Sequence, residues 1–178
     1  MKLLILYATT DGQTRKIARF AADRLAERGH AVELLPAAEA GDVKLSRFDA
    51  AILAGSVHLG RYQKPLRRYL SENAKALKKL PTLFLSVSLA AASEDREDRE
   101  GLDACLSRLV EDTGWKPGRV EQVAGAFRFS EYDFFRAWAM RRIAAERDET
   151  VDTTKNKEYT DWAALGRALD AWIKDPKG

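Results

Sequence analysis

The sequence predicts a doubly wound parallel α/β sheet of five strands, with helices on both faces and a long insertion before the last helix. Three observations carry the prediction. Short β-branched or leucine-rich runs alternate with longer amphipathic ones, the pattern of right-handed strand–helix–strand crossovers. Three of the short runs are apolar, one of them interrupted only by Ser86, as expected of strands when helices cover both faces of the sheet. Some thirty residues, Phe129 to Tyr159, then separate the fifth strand from the last helix, more than the minimal plan requires.

Taken in order, Leu3 to Tyr7 is the first apolar run. Thr14 to Arg28 follows as a helix, with Ile17, Phe20, Ala21 and Leu25 on one face and Gly29 at the expected stop. Ala31 to Leu35 and Ala50 to Ala54 read as the second and third strands, and Pro65 to Leu77 as the second helix. Leu83 to Val87 is the fourth strand. "SEDREDRE" (Ser93 to Glu100) is a solvated loop and the start of a third helix, Arg96 to Asp112. Val120 to Phe127 reads as the fifth strand. Thr160 is suited to N-cap a last helix, in which Trp162, Leu165, Leu169, Trp172 and Ile173 share a face.

At 178 residues and 46% hydrophobic, the chain is expected to fold as one domain, residues 1–178, around one substantial core. The apolar run after Lys2 stops at Ala8, and the longest nearly uncharged run, Pro81 to Ser93, is too short to cross a bilayer. A cytoplasmic protein is expected, with peripheral membrane contact left open. Cys105 is the single cysteine, so no internal disulfide can form; its helical spacing with Leu102, Leu106 and Leu109 marks it as core filler. With only two histidines, His30 and His58, a zinc site is not expected. Net charge is +3 and the basic residues are scattered along helices, which argues against a nucleic-acid partner.

The chemistry begins in "YATTDGQTRKIA", residues 7–18, which lies where the first strand gives way to the first helix. First-turn amides there are unpaired and the helix dipole is positive, so a phosphate can be held without a lysine. Thr9, Thr10 and Thr14 add hydroxyls, and Gly12 lets the backbone turn tightly. The spacing matches neither the Walker nor the G-x-G-x-x-G pattern, so a monophosphate ester fits better. The plain alternative is an ordinary N-cap supplied by Thr10 or Asp11. Ligands of doubly wound sheets sit outside the carboxyl ends of the strands. There the third strand runs into "AGSVHLGRYQ" and the fourth into "SVSLAAAS", both suited to lie along a flat heterocycle.

"TTDGQT", "GSVHLGRY" and "SVSL" resemble the three flavin-mononucleotide loops of flavodoxins. "GAFRF", the insertion and "EYTDW" extend the resemblance to the flavodoxin-like, menaquinone-dependent protoporphyrinogen oxidases of bacteria, over essentially the whole chain. The resemblance implies a flavodoxin-like fold and FMN as cofactor. It places the flavin phosphate on Thr9, Thr10, Asp11, Gly12, Gln13 and Thr14. The ring would be flanked by Ser56, Val57, His58, Leu59 and Gly60 and by Ser86, Val87, Ser88 and Leu89. It further implies oxidation of protoporphyrinogen IX to protoporphyrin IX in heme biosynthesis, with a quinone (menaquinone or ubiquinone) as acceptor. Where the family carries a Gly-Gly-x-Thr-Asp-Thr run, this chain reads "RDETVDTTK", retaining Asp152 and Thr153 without the glycines. Asp152 is carried over to the cofactor set.

His58 is a candidate acid/base residue or a hydrogen-bonding contact, and Tyr62 either stacks near the ring or packs under Pro65. In "SEYDFFRAWAMRRIAAER" the aromatics Tyr132, Phe135 and Trp138 recur at helical spacing among arginines. Such a helix suits an anionic membrane surface or the propionates of a porphyrinogen, with Arg128, Arg136 and Arg141 as substrate contacts; the alternative buries the aromatics and solvates the arginines. The rival functions are a flavodoxin-type electron carrier, which the slightly basic charge disfavours, and an NAD(P)H-dependent flavin or quinone reductase. Whether the chain forms a homo-oligomer is left open.

Overall fold

The computed structural model describes residues 1–127 and 157–176. Five parallel strands, β1 (Lys2–Ala8), β2 (Ala31–Pro36), β3 (Ala50–His58), β5 (Thr82–Ser88) and β6 (Arg119–Ala124), form a sheet in the order β2-β1-β3-β5-β6. A short β4 (Arg61–Tyr62) pairs antiparallel with the end of β3. The helices are α1 (Gln13–Glu27), α2 (Lys64–Leu77), α3 (Arg96–Thr113) and α4 (Trp162–Lys174). This is the flavodoxin-like, doubly wound order, whose topological switch lies between β1 and β3.

Side chains alternate across the central strands and so feed two separate cores. Leu3 and Ile5 of β1, Ile52 of β3 and Leu85 of β5 meet Ile17, Ala21 and Leu25 of α1 and Leu165, Leu169 and Trp172 of α4. On the other face Leu4, Leu6, Leu53 and Phe84 meet Leu66, Tyr69 and Leu70 of α2 and Leu109 of α3. Cys105 packs against this second core, where burial pushes its thiol pKa up despite the opposing charge of Arg108. Bidentate pairing of Arg24 with Asp170 at 2.9 and 2.7 Å clamps α1 to α4, and Arg28 joins the same carboxylate.

The third strand is longer than its apolar run. It continues through Gly55, Ser56, Val57 and His58 and reverses in a two-residue turn, Leu59 and Gly60, with φ of 48° and 72°. Positive φ at both positions matches the right-handed twist of a tight hairpin, although leucine is a costly residue there. The fifth strand is shorter than its sequence pattern. It ends at Ala124, and after Gly125 the chain forms β7 (Ala126–Phe127), which pairs antiparallel with β8 (Lys157–Glu158). Backbone bonds from Gly125 to the Ser88 carbonyl at 2.9 Å and from Tyr159 to the Gly125 carbonyl at 3.0 Å make this crossing.

One cap differs from expectation, and the alternative cap weighed for α1 is not formed. Asp161, not Thr160, caps α4 by accepting the Ala164 amide at 2.8 Å. Neither Thr10 nor Asp11 caps α1; its cap is Gly12, at φ 88°, with no side-chain bond to the helix.

Candidate functional site

Parallel register brings the strand ends to one edge. Ala8 pairs with Gly55, Ser56 with Val87, and Ser88 with Ala124, so the segments leaving β1, β3, β5 and β6 converge. Between them lies an open cleft of about 490 Å³, counting the part open to solvent. Thr9, Thr10, Asp11, Gln13 and Thr14 line one side, and Ser56, Val57, His58, Val87, Ser88 and Leu89 line the other. Gly125 and Ala126, which open the "GAFRF" run but were not named as site residues, complete it.

The first loop presents the head of α1 to the cleft. Gly12 turns the chain left-handed so that α1 begins at Gln13 with its dipole toward the cleft. The Gly12 amide donates to Thr9 Oγ1 at 2.9 Å, which fixes the loop. Thr14 is fully buried, and its hydroxyl has no hydrogen-bond partner even though it lies at the cleft lining. A buried hydroxyl without a partner costs about 1–3 kcal/mol, and at the N-terminus of α1 this one is placed to donate to a group in the cleft. Gln13 has another duty: its Nε2 donates to Thr160 Oγ1 at 2.9 Å, and that hydroxyl donates to the Ala124 carbonyl at 2.7 Å. The Gln13 side chain is therefore committed to tying the loop to the β6 end.

Beside it, Glu158 accepts from Lys16 at 3.3 Å and from the Trp162 indole at 2.7 Å. Burial works to raise the Glu158 carboxyl, but bonds from Trp162, Lys16 and Gln13 outweigh it and hold the pKa below its ordinary range.

Not every expected residue reaches the cleft. Ser86 is fully buried, and its hydroxyl shares a 2.8 Å bond with the Tyr62 hydroxyl. Tyr62 neither stacks at the cleft nor contributes to its lining. Its ring meets Phe84 edge-on at 5.1 Å in the core, and burial pushes its pKa up to about 12, against the lowering effect of the Ser86 bond. Leu59, 75% exposed, and Gly60 form the hairpin tip outside the lining, where the Gly60 carbonyl accepts from Arg108 at 3.4 Å. Gly12 shapes the loop without lining the cleft. His58 does line it, and His30 sits apart, 3.4 Å from the amino terminus. Arg128, Arg136, Arg141 and Asp152 lie outside the described residues.

Gln63 is the participant that the sequence concealed. From the N-cap of α2 its Oε1 accepts the Ser56 amide at 3.2 Å, while its Nε2 donates to Thr10 Oγ1 at 3.3 Å and to the Ser56 hydroxyl. Gly55 makes room for this corner, since a Cβ there would stand 2.4 Å from a Leu66 methyl. Gln63 closes the quoted "AGSVHLGRYQ" stretch, but a glutamine before a Lys-Pro helix start matches no motif of its own and was not singled out.

A family model described as a flavodoxin domain matches residues 4–154. The chain belongs to the flavodoxin-domain family. Among curated relatives, a protoporphyrinogen IX dehydrogenase (quinone) of Escherichia coli strain K12 is 28% identical over 162 residues, 91% of this chain and 89% of that protein. A protein of the same name from Leishmania major is 28% identical over 167 residues, 93% of this chain and 72% of that protein. Among solved structures, a flavodoxin from the domain Archaea superposes with a TM-score of 0.53 at 13% identity, covering all of both chains. A flavodoxin-family chain implies a flavin, and the orphaned Thr14 hydroxyl at the N-terminus of α1 fits the charged end of one.

Proposed function

We propose that this flavodoxin-family chain is an FMN-dependent enzyme that oxidises protoporphyrinogen IX to protoporphyrin IX and passes the electrons to a quinone. The observation that carries the FMN reading is the buried, unpartnered Thr14 hydroxyl at the head of α1, which a phosphate would satisfy. The substrate reading rests on relatives that carry this activity in their names and span nine-tenths of the chain. Thr9, Thr10, Thr14 and the amides of residues 13–15 would hold the phosphate. Ser56, Val57 and His58 on one side and Val87, Ser88 and Leu89 on the other would bound the ring. Bound there, the flavin would supply the hydride-accepting chemistry, and the protein position and electrostatics. Arg128, Arg136 and Arg141 are proposed to meet the substrate carboxylates, and Asp152 to join the cofactor contacts. The basic aromatic segment around residues 130–147 is proposed to contact the cytoplasmic face of a membrane, where a lipophilic menaquinone or ubiquinone resides.

The test is to release and identify the chromophore of the purified chain, then to assay porphyrinogen oxidation in detergent or lipid with a menaquinone analogue. FMN release and quinone-dependent turnover are expected. Rapid reduction of the flavin by NADH with no porphyrinogen turnover would replace this reading with a reductase; a stable semiquinone without turnover would make it a carrier.

A further inference from the structure

Gln63 stands behind the cleft wall and joins two segments that sequence places 46 residues apart, Thr10 of the first loop and Ser56 of β3. The direction of its bonds is fixed by chemistry. The Ser56 backbone N–H can only donate, so the glutamine group facing it at 3.2 Å must be the carbonyl oxygen. The NH₂ is then the group turned toward the Thr10 and Ser56 hydroxyls, and both hydroxyl oxygens must accept from it. Each oxygen, having accepted, keeps one proton to give. Thr10 and Ser56 both line the cleft.

We infer that Gln63 is a positioning residue that sets hydrogen-bond polarity at the cofactor site, turning the Thr10 and Ser56 hydroxyls into donors toward a ligand that presents acceptors to both. The inference rests on the proposed FMN site and assigns the two hydroxyls different parts of it. Thr10 serves the phosphate beside the α1 N-terminus, and Ser56 serves an acceptor of the ring system. A carboxylate in place of the amide would reverse the arrangement. It would repel no backbone amide, because Ser56 N–H can still donate to it, but it would claim the protons of both hydroxyls and leave them facing the ligand as acceptors. It would also bring a negative charge toward the phosphate. Packing would be nearly unchanged, since Gln and Glu have almost the same shape.

The test compares FMN with riboflavin, which lacks the phosphate, by fluorescence titration of the apoprotein of wild type, Gln63→Glu, Gln63→Leu and Thr10→Val, with thermal unfolding as a check of folding. Gln63→Glu is expected to weaken FMN at least thirtyfold and riboflavin only three- to tenfold, with an unfolding midpoint close to wild type. In the Thr10→Val background its effect on FMN is expected to shrink at least threefold while staying above that on riboflavin, because the hydroxyl it misdirects is gone and only the charge repulsion of the phosphate remains. Gln63→Leu, which directs neither hydroxyl, should weaken FMN about tenfold and serves if the glutamate variant does not fold. If both Gln63 variants bind FMN and riboflavin within twofold of wild type, or lose the two equally, Gln63 does not set polarity and the inference is overturned while the cofactor reading survives. If wild type itself binds no FMN, both fall together.

Discussion

Thr14→Val should move stability and cofactor affinity in opposite directions. Valine has the shape of threonine, so α1 packing is retained and the single change is loss of a hydroxyl that is buried and unpartnered without ligand. Removing such a group recovers the desolvation cost of about 1–3 kcal/mol. For a chain of this length each kcal/mol moves the midpoint by about 2–4 °C, so the apoprotein should melt about 2–12 °C higher. With FMN bound, the same hydroxyl is expected to donate to a charged phosphate, a bond worth about 1.5–3 kcal/mol, and affinity should fall about tenfold to a hundredfold. Calorimetry of the apoprotein and FMN titration together read both effects. A variant whose apoprotein is less stable than wild type would show that the hydroxyl already has a partner. One that binds FMN as tightly as wild type would show that no phosphate meets Thr14.

Three further outcomes follow from the packing. Gly55→Ala drives a Cβ to 2.4 Å from Leu66 and should cost about 1–3 kcal/mol; combined with Leu66→Ala in denaturant titrations, the pair should cost clearly less than the sum of the single variants. Thr160→Val removes both the acceptor for Gln13 and the donor to Ala124, so urea melts should show a loss of about 1–3 kcal/mol, and equal stability would discount the tie. Tyr62 has a folded pKa raised to about 12 from an ordinary 10, so its contribution is complete below pH 10 and is lost as pH rises toward 12. Those two units are worth about 2.7 kcal/mol. Stability measured from pH 9 to 12 should therefore fall less steeply in Tyr62→Phe.

The sequence exposed the parts of the fold that are set by burial. Leu3 to Tyr7 and Ala50 to Ala54 are apolar throughout, and Leu83 to Val87 is apolar except for Ser86, because α1 and α4 cover one side and α2 and α3 the other, and each lies within an observed strand. Features set by single backbone bonds were hidden. Val120 to Phe127 keeps a strand-like pattern throughout, yet the ladder changes partners at Gly125, a choice made by the Ser88 carbonyl and the distant Tyr159 amide. The Leu59 turn was equally obscure, because leucine at positive φ runs against every turn preference. In the site, the loop at the head of α1 was legible from its hydroxyls and glycine. The withdrawal of Ser86 to Tyr62 and the bridge made by Gln63 depend on contacts between elements, which local spacing does not record.

The Gln13–Thr160–Ala124 chain shows why the cofactor loop and the unusual segment before α4 belong to one arrangement. The chain enters residues 128–156 from β7 and returns through β8, and the two are paired Ala126 with Glu158 and Phe127 with Lys157. Ala126 also lines the cleft, and Glu158 accepts Lys16 of α1. Both ends of that segment are therefore fastened to the edge formed by the first loop and the head of α1, one through the β7–β8 ladder and the other through Thr160 and Glu158 onto α1. On the proposed reading, tying an aromatic and basic segment to the cofactor edge would bring a second, larger molecule to the flavin, as an enzyme requires and a carrier does not.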